Sequence, residues 1–530
     1  MPSRATVLPS PRKLSTGAAL AAAAVAAFLP ATWVGFLSDD YILRRTLSAI
    51  ASPVWPFDRN DLGVAHGAGH FYRPLWLLFN DGVQTVFGTS AAALHAGNLV
   101  LYAVLTLEVW QLARRFVGAE AAWLAALFFA LYPRHGEAVA WIAGNTDLVA
   151  AVLAVAALLA FRPAAPGRGR LALAVLLAAL AALAKEAAFV LPALALLLGA
   201  VEVGALTDRR VWRLPLGMLA AQLVVLVART IVVGGAGGYA ETPFTPTRAL
   251  GSAASYVLGA VTPPQLEVLH HPLLLAVPAA VLALLAWQIR RLFAAGDRRR
   301  GRVAGAGVAW FAVSLLPALN TPLDLNTANG SRVLLLPSVG LALCIAALID
   351  RPLARRARAG LVVAAAVGLA LCLWTAHDWV TASRVSDRLL SEARRLGPAN
   401  GELVLLNVPE GYRTAIAFQD ALDVAVNDTG RPDLAIVTCA PVHLRRETAR
   451  ATRFQLQPDG SFLGESSSAA PFDFPVLAAA PPATPSCHYT RAAGGTRGIG
   501  SATRVVVRPV RSLPYALAFF DGADLRRVTP

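Results

Sequence analysis

Two adjacent carboxylates, Asp39 and Asp40, follow directly on the first long apolar segment, in the run Trp33-Val34-Gly35-Phe36-Leu37-Ser38-Asp39-Asp40-Tyr41. At a membrane edge each carboxylate loses hydration and repels the other, so ionisable groups there usually mark a site rather than scaffolding. Crowding raises the pKa of one member of such a pair, which suits a general base. The plain alternative is two solvated acids capping a loop. Of the two, Asp40 is the expected base, with Asp39 orienting the site.

Other polar residues stand out against the same apolar background. Lys185-Glu186 interrupts the span from Leu171 to Val203. As one helix that span would reach roughly 50 Å, longer than a hydrocarbon core of about 30 Å. The pair therefore marks a turn, expected near the outer interface. Tyr132-Pro133-Arg134-His135-Gly136-Glu137 forms a second turn, followed by Trp141 and Asn145-Thr146-Asp147. Arg73, in Phe71-Tyr72-Arg73-Pro74-Leu75, and Arg332, opening another apolar run, are cations suited to holding phosphate because a planar guanidinium binds oxyanions bidentately. Either one alone would pass as a snorkelling side chain. His66 and His70, near Asp58 and Asp61, make only a weak metal pattern in a Gly-rich loop, and His270-His271 reads as a helix boundary. No Cys/His framework of metal-binding spacing, Walker loop, Rossmann fingerprint or Ser-His-Asp order is present. No metal and no cofactor is expected.

The elements that must position these residues are membrane helices. The chain has 530 residues, 56% hydrophobic and only 15% charged, with mean hydropathy +0.56. That profile fits a polytopic membrane protein rather than a soluble enzyme. The net charge of +15 lies mainly in short loops between apolar runs, where it sets orientation, so nucleic acid is not expected as a partner. The apolar runs predict about eleven membrane helices: near 14–37, 91–113, 120–133, 138–161, 171–185, 187–203, 212–233, 272–292, 303–319, 333–350 and 359–376. The first is too long for a signal-peptide core and is expected to remain uncleaved. Basic clusters at 114–115, 162–170, 209–213, 290–302 and 351–358 fall on the N-terminal side of the membrane. That side is therefore cytoplasmic, and loops 38–90, 134–144, 234–271 and 320–332 lie outside. Segment 249–262 is read as interfacial. A transmembrane domain over 1–376 is followed by an extracytoplasmic domain over 377–530. Its short apolar runs at 403–406, 434–437, 503–510 and 515–520 predict an α+β or β-rich fold. Cys439 and Cys487 would be free to pair there, whereas Cys344 and Cys372 sit in apolar runs.

In this order the elements resemble the GT-C class of integral-membrane glycosyltransferases, and most closely its protein O-mannosyltransferase-like branch, which includes the transmembrane-and-tetratricopeptide-repeat proteins. Asp39-Asp40 looks like the acidic first-loop motif. Tyr72-Arg73-Pro74-Leu75 with His95 and Asn98 is similar to the RPL-to-HxxN stretch. Pro133-Arg134-His135-Gly136-Glu137-Ala138-Val139-Ala140-Trp141, then Asp147-Leu148, resembles the HPxHxEAVxW…GRxDLL block. Lys185-Glu186 matches the KE pair. Leu316-Pro317-Ala318-Leu319-Asn320 with Ser331-Arg332-Val333-Leu334-Leu335-Leu336-Pro337-Ser338 matches LPxxN…ERxLYLPS. The likeness covers roughly residues 20–380. Tyr132, Asn145 and Ser331 depart from it, standing where the pattern has His, Arg and Glu, and the repeats of the animal relatives are absent from this chain.

The resemblance implies a multi-pass enzyme of the inner (plasma) membrane. It would take a hexose, mannose above all, from a polyprenyl-phosphate carrier and deliver it with inversion to a protein or glycan acceptor on the extracytoplasmic face. Asp40 and Asp39 would be catalytic. Arg73, His135, Glu137, Asp147, Lys185, Glu186, Asn320 and Arg332 would hold the donor's phosphate and sugar. Three other readings stand beside it: a lipid-linked glycan flippase, an inactive GT-C-like scaffold, and a glycan ligase or polymerase. A flippase would place its charges near the bilayer midplane, whereas here they gather on one face.

Overall fold

The computed structural model describes residues 11–63, 71–163, 167–235, 238, 244–266, 275–325, 327–349, 355–398, 401–419, 421–446, 448, 450–473, 487–494, 497–498, 501–509 and 515–528. The histidines at 66, 70, 270 and 271 lie outside them.

The protein is a multi-pass helical membrane protein with a β-rich C-terminal region. Among the described residues nine helices are long and apolar enough to cross a membrane. The helix Ala119–Ala130 is shorter, as is Arg168–Ala184. The expected helix over 138–161 begins later: Gly136–Ala140 is a single turn, and the long helix is Thr146–Ala160. The intervening turn carries Trp141 and Asn145. Segment 246–261 is a 16-residue helix. The bundle packs through small residues. Gly307 and Gly340 face each other so closely that a Cβ on Gly307 would sit 2.5 Å from the Gly340 carbonyl, a backbone approach that small side chains permit between membrane helices.

The expected domain boundary at 376 falls within a helix. One helix runs from Arg355 to Leu396 over 42 residues, roughly 63 Å at 1.5 Å per residue. Its apolar first half lies in the bundle, and its amphipathic second half supports the C-terminal region, where Val385, Leu389, Leu390 and Ala393 join the core of that region. There Glu402–Tyr412 pairs in parallel with both Tyr515–Phe520 and Ala435–Leu444. A second sheet has four antiparallel strands, with Arg504–Pro509 between Phe462–Ser466 and Cys487–Arg491. Cys439 and Cys487 form a disulfide, and Cys344 and Cys372 are buried free thiols.

That disulfide joins strands of different sheets across 48 residues of sequence. Loop-closure entropy makes such a link worth about 4 kcal/mol. Replacing both cysteines by serine is expected to lower the unfolding free energy of the C-terminal region by about that much. Denaturant unfolding of the full chain, followed in the β-sheet signal, measures it.

Candidate active site

Ser38 adopts φ +44°, a left-handed conformation strained for a residue with a Cβ. It directs the chain into the helix Asp40–Ser48, with Asp39 as cap residue. Asp39 is half-buried, whereas Asp40 is 1% exposed. The two Asp40 oxygens divide their work: Oδ2 accepts the Leu37 N–H at 3.0 Å, and Oδ1 accepts the Ala143 N–H at 2.7 Å. Asp40 thus ties its own loop to the turn that bears Trp141, Asn145 and Asp147. Burial pushes its carboxyl up to about 8 against the opposing pull of the two N–H donors, with Asp39 adding a smaller upward push.

A row of ion pairs lies along neighbouring turns. Arg73, fixed just before Pro74 at the start of its helix, donates from Nε and Nη2 to the two Glu186 oxygens at 3.1 and 2.7 Å. Its Nη1 lies 3.9 Å from Asp61, and its guanidinium stacks 4.0 Å from the Phe71 ring centroid. Burial raises the Asp61 carboxyl, with the Arg73 charge pulling the other way. Lys185 is extended between two helices, so Lys185 and Glu186 sit at a helix break. Lys185 pairs with Asp147, and Asp147 lies 3.7 Å from Arg332 Nε. Arg332 in turn pairs with Glu137 and lies 4.9 Å from the Trp141 ring centroid. Asp61, Arg73, Glu186, Lys185, Asp147, Arg332 and Glu137 therefore form one alternating series, continuous through the 185–186 peptide.

Within it Glu137 is a brace. It is 2% exposed and accepts from the Gly330 and Arg332 N–H groups at 3.2 and 2.8 Å and from the Ser331 hydroxyl at 3.2 Å, besides Arg332. A carboxylate at the start of the helical segment Ser331–Leu334 is favourably placed against its free N–H groups. Gly330 reaches this position at φ +88°, which favours glycine. The departure at Ser331 thus supplies a hydroxyl donor to Glu137.

The other two departures are structural as well. The Asn145 side chain accepts from Trp76 Nε1 at 2.5 Å and donates to Asn80 and Asn98 at 3.0 and 2.7 Å. Asn98 passes the network on to the Val139 carbonyl at 3.1 Å. The Tyr132 hydroxyl donates to the Ala260 carbonyl at 2.8 Å.

His135, expected among the donor-binding groups, is fully buried. Nδ1 lies 2.8 Å from the Tyr102 hydroxyl, and Nε2 lies 2.8 Å from the Ser338 hydroxyl. Burial pulls its pKa down to about 3, so it serves as a neutral pin between helices. Asn320 is half-buried and makes no hydrogen bond to the series among the described residues. Among the described residues no three His, Cys, Asp or Glu side chains converge in a way that could hold a metal.

Arg229 was not anticipated. It is 8% exposed in the apolar helix Arg209–Val233 and interacts electrostatically with Glu186, Arg73 and Asp61. Its signal was present: a lone arginine among apolar residues within a membrane span is costly and seldom accidental.

Residues 73–233 match the family described as dolichyl-phosphate-mannose-protein mannosyltransferase. Protein O-mannosyl-transferase Tmtc1 of Drosophila melanogaster is 33% identical over 191 residues, 34% of this chain and 22% of the relative. Protein O-mannosyl-transferase TMTC1 of Homo sapiens is 33% identical over 113 residues, 20% of this chain and 13% of the relative. The chain thus aligns with less than a quarter of the length of these relatives. Among solved structures, the archaeal oligosaccharyltransferase AglB from Archaeoglobus fulgidus aligns at a TM-score of 0.46 and 14% identity, over 86% of this chain and 74% of that one. ArnT from Cupriavidus metallidurans aligns at 0.38 and 12%, over 82% and 94%. By this segment and these relatives, the chain is similar in part to protein O-mannosyltransferases, the family likeness lying within residues 73–233.

Proposed function

We propose that the protein transfers a hexose, mannose above all, from a polyprenyl-phosphate carrier to a hydroxyl of a protein or glycan acceptor at the extracytoplasmic face of the plasma membrane. The carrying observation is the acidic pair Asp39-Asp40, tied through Ala143 to the turn that feeds the Asp147–Lys185 and Glu137–Arg332 pairs. The acceptor oxygen attacks the anomeric carbon and forms the new C–O bond. The bond from that carbon to the phosphate oxygen breaks, and polyprenyl phosphate leaves with the electron pair, inverting the centre.

A base must take the hydroxyl proton. With both Asp40 oxygens turned onto backbone N–H groups, that role passes to the half-buried Asp39, and Asp40 holds the loop. Arg73, Arg229, Lys185 and Arg332 oppose the charge that gathers on the departing phosphate, while their carboxylate partners fix where those cations point. Glu137, Asp147 and Glu186 are in this reading positioning groups. The N-terminus is cytoplasmic, and the C-terminal region, with its buried disulfide, folds in an oxidising compartment.

Mass spectrometry of exported proteins and envelope glycans from cells with and without the gene tests this function. A hexose lost from a defined acceptor in the deletion, and restored by the intact gene, is the expected result. Identical glycan profiles in the two strains would leave the inactive-scaffold reading instead.

A further inference from the structure

Residues 412–418 of the C-terminal region reach back onto the acidic loop. The Tyr41 ring, next in sequence to Asp40, stacks on Phe418 with centroids 6.1 Å apart and planes inclined by 19°. Both rings are almost fully buried, at 4% and 1% exposure. Tyr41 belongs to the hydrophobic core of the C-terminal region, and Phe36 of the same loop packs against that core. Two residues before Phe418, Ile416 shares with Ala415 a buried cluster that also contains Val34, Leu37 and Trp141. Trp141 is the residue beneath the Arg332 guanidinium. One short segment therefore touches both sides of the candidate site.

The segment is itself anchored to the membrane bundle. The Thr414 hydroxyl donates to Asp378 Oδ2 at 3.0 Å, and Arg413 Nη1 lies 3.9 Å from Asp378 Oδ1. Arg413 also lies 5.8 Å from the Trp374 ring centroid. Asp378 and Trp374 sit on the single helix that leaves the bundle and enters the C-terminal region. The helix continues unbroken between the two, so the contact is held by a continuous element as well as by its own packing.

We propose that Phe418, acting through Tyr41, is a positioning residue for the acidic pair, so that the C-terminal region sets the geometry of the transfer site. This inference rests on the function proposed above. A displacement of about 1 Å between reacting groups can cost on the order of a hundred-fold in rate, so a lost ring contact one residue from Asp40 should appear in kcat.

The test compares Phe418→Ala with the stack-preserving Tyr41→Phe in the full chain, reconstituted in lipid. Backbone hydrogen exchange over residues 39–48 is read beside transfer kinetics. In Phe418→Ala, exchange over 39–48 should quicken while that of the helix Ala91–Ala113 stays unchanged. Its kcat should fall about ten-fold or more, with donor and acceptor KM within about two-fold of the parent. Tyr41→Phe should match the parent in both readouts. Unchanged exchange in a folded Phe418→Ala protein would overturn the inference. A raised acceptor KM with kcat intact would also overturn it, making the region an acceptor-binding module. Where Phe418→Ala fails to fold, Tyr41→Leu breaks the stack from the other side and is judged by the same readouts. If the parent itself transfers no sugar, the proposed function has failed, and the exchange data alone decide the positioning claim.

Discussion

Asp39→Asn should abolish sugar transfer, lowering kcat by roughly a hundred- to ten-thousand-fold while donor affinity and thermal stability stay near those of the parent. The amide keeps the shape of the carboxylate but cannot accept the acceptor's proton. Asp40→Asn should behave differently. Its carboxyl, raised to about 8 by burial, is already largely protonated at neutral pH, so the amide changes little charge. What it removes is one of the two acceptor oxygens, so that an NH2 group faces either the Leu37 or the Ala143 N–H, and an orphaned buried N–H costs about 1–3 kcal/mol. Stability should fall clearly and kcat less than in Asp39→Asn.

Asp40 also predicts a pH signature. A carboxyl whose pKa is higher folded than unfolded keeps its proton in the native state where the unfolded chain has lost it. Its contribution is therefore greatest at low pH and declines between about 4 and about 8, because the native state binds the extra proton across that window. Thermal unfolding followed across this range should show a decline in the parent that is flatter in Asp40→Asn. Kinetics and melting curves of the two variants together separate the proton acceptor from the brace.

The second large effect is expected at Glu137. Glu137→Ala removes the acceptor of two backbone N–H groups, one hydroxyl and the Arg332 guanidinium at once. Arg332 keeps Asp147 at 3.7 Å but loses its carboxylate partner Glu137, and breaking a buried pair from one side costs about 3–5 kcal/mol. Removing both partners should cost less than the sum of the single changes, since no uncompensated charge then remains. Melting temperatures of Glu137→Ala, Arg332→Met and the double variant, compared as a cycle, check this. Strict additivity would show that the pair is not the unit holding the 330–335 turn.

The charged residues were legible because the membrane makes them conspicuous. Asp39-Asp40, Arg73, Lys185-Glu186 and Arg332 each interrupt or border an apolar run, and each lies in the paired series or is tied to it. Their pairing was not legible. That Arg73 meets Glu186 across 113 residues, or that Glu137 caps a helical segment nearly 200 residues later, depends on how the helices pack. His135 shows the same limit from the other side. A histidine on a polar turn reads as accessible, and only the placement of Tyr102 and Ser338 around it shows otherwise. Arg229 is less conspicuous because it lies within an apolar run rather than at its border.

In the C-terminal region the runs at 403–406, 434–437, 503–510 and 515–520 were readable as strands from their apolar and β-branched content. The parallel pairing of Glu402–Tyr412 with Tyr515–Phe520, the first and one of the last strands of that region, was not. Nor was the continuity of the helix through 376. The change from apolar to amphipathic character there marks where the helix leaves one hydrophobic surface for another, not where it ends.

The most direct test of the central claim is a reconstituted transfer assay. The purified chain in liposomes would be supplied with radiolabelled polyprenyl-phosphate mannose and an extract of exported protein or glycan acceptors, and label in the acceptor would be counted beside released polyprenyl phosphate. The account predicts that the two appear together in the parent, and that both vanish in Asp39→Asn while the labelled donor still binds. Transfer at the parental rate in Asp39→Asn would contradict the assignment of the base. Release of neither product by the folded parent, with this donor or with other polyprenyl-phosphate hexoses, would contradict the proposed function itself.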